Sequence, residues 1–179
     1  MLLGQTDAGD DWIVRWVPFS LNQTKVAHGE TDVWDDPEMA STRMAVEVGT
    51  AVRDSWPDAF PTVHRELFAA RHDKGLDIRE HDVVADVLTA AGLDADEVFN
   101  EVLNCGPRDA FRAEHEAAVG DHKVFGVPTV IAGGQAVFIR LVDRPGDDAP
   151  KARDTIERCV DLVTGWPNLN EFKHTSIPH

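Results

Sequence analysis

Between Asp36 and about Gly120 the apolar residues recur at helical spacing. Asp36 has the chemistry of an N-cap and Pro37 that of a first helical residue, after which Met44, Ala45, Val48 and Val52 fall on one face. A second helix is predicted from about Ala59 to Asp73, tolerating Pro61 in its first turn, burying Val63, Leu67, Phe68 and Ala70, and stopped by Gly75. A third carries Val83, Val84, Val87 and Leu88 before Gly92. Asp94 with Glu97 resembles a capping box for a fourth, on which Val98, Phe99, Val102 and Leu103 share a face. The fifth starts at Pro107 and ends near Gly120.

Outside this block the period changes. Trp12-Ile13-Val14-Arg15-Trp16-Val17 is rich in β-formers and is stopped by Pro18, so it reads as a strand. Residues 1–4 are apolar and end in glycine, followed by polar Gln5 to Asp11, the pattern of a last helical turn and its exit. Two β-branched runs flank Gly133-Gly134. A two-residue glycine connection favours a primed turn with positive φ, so 129–132 and 135–141 are predicted to pair as an antiparallel hairpin. Pro150 opens a last helix whose stripe is Ala152, Ile156, Cys159, Val160 and Val163, which predicts a buried, inert Cys159.

Pro128 breaks the strand pattern, because proline has no N–H for a ladder and belongs at a strand's first residue, an edge or a bulge. Gly126, two residues earlier, is expected to supply an unusual backbone conformation. A tight X-Pro bend is where cis peptides occur, although the general preference of X-Pro bonds is trans.

Gly126-Val127-Pro128-Thr129, ahead of a hairpin and an amphipathic helix, resembles the cis-proline loop of thioredoxin-fold proteins, specifically the DsbA-like and FrnE-like branch. The order strand, helical block, hairpin, helix matches that branch from about Leu2 onward. The resemblance implies an α/β thioredoxin-like fold formed by 1–35 and 121–179, with 36–120 as an inserted helical subdomain. It implies a cis Val127–Pro128 peptide and a thiol or disulfide substrate, a small molecule or an extended peptide, paired with the main chain of Val127. Pro128 would hold the bend and Thr129 would start the strand. A low-molecular-weight thiol would serve as co-substrate, with no cofactor bound.

One departure from the family is large. The first strand and the C-x-x-C helix that follows it in the family precede the segment beginning at Met1, which is expected to reflect a late gene start or an incomplete chain. Catalytic residues are therefore not assigned. Cys105 is read as a small apolar residue closing the fourth helix, and the nucleophile is not transferred to it or to Cys159, since neither is expected at a strand-to-helix junction. The resemblance thus implies a thiol-disulfide oxidoreductase that is inactive as an isolated chain. The alternatives are thiol-assisted chemistry of the glutathione transferase kappa or hydroxychromene-carboxylate isomerase type, and a non-catalytic thioredoxin-like binding protein. Strands left with unpaired edges would make the chain marginally stable or drive it into a homo-oligomer.

Composition narrows the functions further. The formal net charge of −15 is spread over the chain, a field that repels phosphate backbones and argues against nucleic-acid binding. No run approaches the roughly 18 apolar residues of a membrane span, and no export signal stands at Met1, so a soluble cytoplasmic protein is expected. Acidic pairs such as Asp10-Asp11, Asp35-Asp36 and Asp147-Asp148 suit solvated loops and helix starts better than metal sites. Cys105 and Cys159 lie more than fifty residues apart, without metal-ligand spacing, which fits a reducing compartment. Of eight histidines, His122, six residues before Pro128, is the one placed to bias a thiolate electrostatically, although a solvated loop histidine is the more ordinary reading.

Overall fold

Asp36 begins the helical region as an N-cap should. Its carboxylate accepts from the Glu38 amide at 2.9 Å, Pro37 follows, and the single 3-10 turn Pro37–Met39 runs into α1, Ala40–Ser55. A computed structural model describes residues 12–139 and 144–169; the sequence readings for 1–11, 140–141 and the tail beyond 169 lie outside them. The described residues divide into two compact units, Val14–Asp121 and a second made by Trp12, Ile13 and the chain from His122 onward.

In the first unit α1 is followed by α2 (Phe60–His72), α3 (His81–Ala90), α4 (Ala95–Leu103) and α5 (Gly106–His122), whose last residue belongs to the other unit. Asp94 caps α4 by accepting from the Glu97 amide at 3.2 Å. Val48, Val52, Val63, Leu67, Ala70, Val84, Leu88 and Val98 form one buried cluster from α1 to α4. Fully burying such side chains stabilises by about 1.5–3 kcal/mol each. A smaller cluster joins Val33 and Trp34 to Phe111 of α5. Between them Arg43, itself buried, pairs with Glu47 at 2.9 Å and donates to the carbonyls of Val33 and Asp36, fastening the loop before α1 to the helix.

Three expectations need correction here. Phe68, expected to be buried, is 44% exposed, and Leu103, expected to share a face with Val98, Phe99 and Val102, is 76% exposed while Val98 is buried. Phe68 sits beside His64 and His72 on α2, four residues from each, off the face of Val63, Leu67 and Ala70. Trp12–Val17 forms no strand, because no described residue offers it a ladder partner. Side-chain interactions hold it instead. The Trp16 ring lies 4.7 Å from His64 and 6.1 Å from Phe60, and the Trp16 carbonyl, which a ladder would use, accepts from Arg53 at 2.8 Å. The same Arg53 meets Glu114 of α5 in a bidentate pair. Ser20 donates its amide to buried His115, and Arg112 reaches Asp32 and Asp35. These bonds place residues 14–35 in the helical unit, whereas the sequence-based boundary stands at residue 35.

In the second unit β1 (Thr129–Ala132) pairs antiparallel with β2 (Gln135–Phe138) in the register Thr129↔Phe138 to Ala132↔Gln135. Gly133 and Gly134 have φ of +55° and +76°, the two positive values that a type I′ turn requires. α6, Ala149–Gly165, packs on both strands, capped by Asp148 accepting from Lys151. Ala152 and Val163 are buried, whereas Ile156, Cys159 and Val160 are half-buried, so the stripe is shallower than its periodicity suggests. The Arg153 guanidinium lies 5.4 Å from the centre of the Trp12 ring, which ties residue 12 to this unit.

Candidate functional site

The segment between α5 and β1 is shaped by residue size. Gly126 is buried with the Phe138 ring directly over it: a Cβ there would stand 3.2 Å from Phe138 Cε2. Glycine thus lets the ring of β2 close on the loop, and Phe125, 70% exposed, adds a second ring at 5.2 Å from that of Phe138. Phe125 and Phe138 escaped the sequence reading. The signal available was an aromatic residue beside the loop glycine.

The Val127–Pro128 peptide is cis. Thr129 donates its hydroxyl to the Gly126 carbonyl at 2.7 Å, bridging the bend from one side to the other. The Pro128 carbonyl accepts from the Ile139 amide at 2.9 Å, continuing the hairpin ladder by one rung. That rung is single because proline has no N–H to return. Val127 is 43% exposed, and among the described residues neither its N–H nor its C=O finds a partner. A half-exposed peptide unit with both groups unpaired, at the end of a two-stranded ladder, can pair with an added extended segment, and the apolar surface of Phe125 lies beside it in sequence.

His122 is the exposed last residue of α5, and no hydrogen bond, ion pair or ring contact joins it to the loop among the described residues. Val127, Pro128 and Thr129 therefore come together as one bend, and His122 does not join them.

Both cysteines are free. Cys105 is the residue before α5, with φ of +65°, its carbonyl accepting from Asp109 and its Sγ 2.9 Å from the Arg108 guanidinium. It is thus a junction residue between two helices rather than an apolar end to α4, and it follows no strand. Cys159 is half-buried on α6, and burial pushes its thiol pKa up. Its expected full burial is corrected accordingly. Among the described residues no group of three or more His, Cys, Asp or Glu is placed to hold a metal ion, and no helix is long and apolar enough to cross a membrane.

The family model for a DSBA-like thioredoxin domain matches residues 8–144, which spans the helical unit, the loop and the hairpin. A search of curated proteins returns no match.

Proposed function

Because the chain belongs to the DSBA-like thioredoxin domain family and has that family's α/β fold with a helical insertion, we propose that the Gly126–Thr129 bend is its substrate-binding element. It takes an extended thiol or disulfide compound by main-chain pairing to Val127. The observation that carries this is the unpaired, half-exposed Val127 peptide unit beside Pro128. Pro128 makes the last ladder rung through its own carbonyl, and the Val127 N–H and C=O stay outside the ladder. The exposed Phe125 ring provides apolar surface for a side chain flanking the sulfur.

The function is thus thiol-disulfide oxidoreductase chemistry in its recognition half. Cys105 and Cys159 are not given the nucleophile's part: the first lies between two helices and the second is half-buried within one. The reading needs neither for binding.

Titration of glutathione, glutathione disulfide and a short cystine-containing peptide into the protein, followed by amide NMR, tests the reading. The expected result is a saturable shift of the Val127 and Thr129 amides. N-methylation of the peptide's pairing residue should abolish it, and Val127→Ala should leave it in place, since the main chain does the binding. Undiminished binding of the N-methylated peptide, or shifts confined to residues outside 125–129, would overturn it.

A further inference from the structure

Gly49 sits in the middle of α1, where glycine lowers helix stability by about 1 kcal/mol relative to alanine. Its φ is not positive, and a Cβ built on it would meet no atom within 4 Å. Neither backbone conformation nor close packing accounts for it. What it borders is a cleft of about 240 Å³ inside the helical unit.

The facing wall is unusual in composition. Phe60, His64, Phe68 and His72 stand four residues apart along α2, and their rings follow one another at 5.2, 4.9 and 5.7 Å. Trp16 lies across the first two. Burial holds the His64 imidazole well below its ordinary range, at about 4, so at neutral pH it contributes a flat uncharged ring. An engineered cavity of about 150 Å³ holds benzene; the larger cleft suits two fused rings.

Two guanidiniums reach this cleft, in different states. Arg53 is committed to Asp54, Glu114 and the Trp16 carbonyl. Arg71 is exposed and makes no ion pair among the described residues; the nearby Asp77 is hydrogen-bonded to Arg79 and is also attracted, more weakly, by the Arg71 charge. No carboxylate lines the cleft. In a chain of net charge −15, a cleft lined by a guanidinium without an ion pair and by no carboxylate favours an anionic group.

We propose that the cleft between α1 and α2 is a binding site for a planar aromatic carboxylate. Its ring system lies between Gly49 and the Trp16–Phe60–His64 wall, and its carboxylate is taken by Arg71. The site is formed within the helical unit and does not depend on the reading given to the Gly126–Thr129 bend.

The probe is 2-naphthoate, titrated into the full chain by calorimetry, with naphthalene-2-methanol as the uncharged ring and acetate as the ringless anion. Saturable one-to-one binding of 2-naphthoate is expected, with no binding of acetate. Gly49→Leu directs a side chain into the cleft from a Cβ that meets no atom within 4 Å and replaces a weak helix former, so it should abolish binding while the protein still melts cooperatively. Arg71→Gln, at an exposed site, should weaken 2-naphthoate by about tenfold or more, the scale of one charge-assisted hydrogen bond, and leave naphthalene-2-methanol unaffected. Absence of saturable binding, full binding in folded Gly49→Leu, or equal affinity for the two naphthalenes would each overturn the proposal.

Discussion

Lowering the pH from 7.5 to 4 should destabilise the helical unit through His64, by an amount the structure sets. The imidazole is packed against Trp16, Phe60 and Phe68, and burial lowers its pKa from the ordinary 6.5 to about 4. The residues lining the same cleft include Arg53, Arg71 and His72 but no carboxylate, so a protonated His64 would find cations and no acceptor. The unfolded chain takes up this proton near pH 6.5 and the folded chain only near 4. Stability from this group is therefore complete above about 6.5, falls as the pH drops through that window, and changes no further below 4. At 1.36 kcal/mol per pH unit the ceiling is about 3 kcal/mol; the ring keeps some contact with water, so a loss of about 2 kcal/mol is expected. His115, also lowered by burial, acts with the same sign, and a reference variant is needed to separate the two. His64→Phe keeps a ring in the stack and removes the proton site. Urea unfolding of both proteins between pH 7.5 and 4, with the slope m unchanged, should show their stability difference shifting by about 2 kcal/mol in favour of the variant as pH falls. A difference that stays constant across the window, or an NMR titration of the His64 ring centred near 6.5, would refute the reasoning.

Other predictions concern burial elsewhere in the chain. Arg43→Met leaves the buried Glu47 carboxyl without its partner and frees the Val33 and Asp36 carbonyls, so it should cost about 3–5 kcal/mol in urea unfolding; adding Glu47→Leu should restore most of it. Leu88→Ala, at a fully buried position, should cost about 2–5 kcal/mol, against about 0.5 kcal/mol or less for Leu103→Ala, exposed at the end of α4. Cys159, half-buried with its thiol pKa raised, should react with iodoacetamide at pH 7.5 more slowly than free glutathione and should form no disulfide with Cys105, as followed by mass spectrometry.

The helices were legible because their information is local. Asp36-Pro37, Asp94 with Glu97, and the valine and leucine spacing of α1 to α4 are properties of a few consecutive residues, and caps and cores appear where they indicate. The hairpin was legible for the same reason, since Gly133-Gly134 carries its own turn geometry. Residues 12–17 show the limit of that logic. Their β-forming composition states a preference that only a neighbouring strand can satisfy, and Arg53, remote in sequence, takes the Trp16 carbonyl instead. Phe68 was assigned to the core on hydrophobicity alone. Its position four residues from His64 and from His72 sets it on a different face from Val63 and Ala70, and on a helix that angle outweighs hydrophobicity.

The candidate sites divide along the same line. Gly126-Val127-Pro128-Thr129 was readable because the missing proline N–H is a backbone fact carried by the residue itself; Gly126 has no positive φ, and its need for glycine comes from the Phe138 ring. Its aromatic cover was not, because Phe138 reaches Gly126 only through the hairpin register. The cleft beside α2 was less visible still, although both its halves stand in the sequence: a glycine inside a good helix, and four rings at intervals of four. Each has an ordinary meaning alone, a tolerated weak position and a stripe of solvent-facing aromatics. Only when α1 and α2 pack does the absent side chain face the rings, and a local defect in one helix becomes a volume bounded by the other.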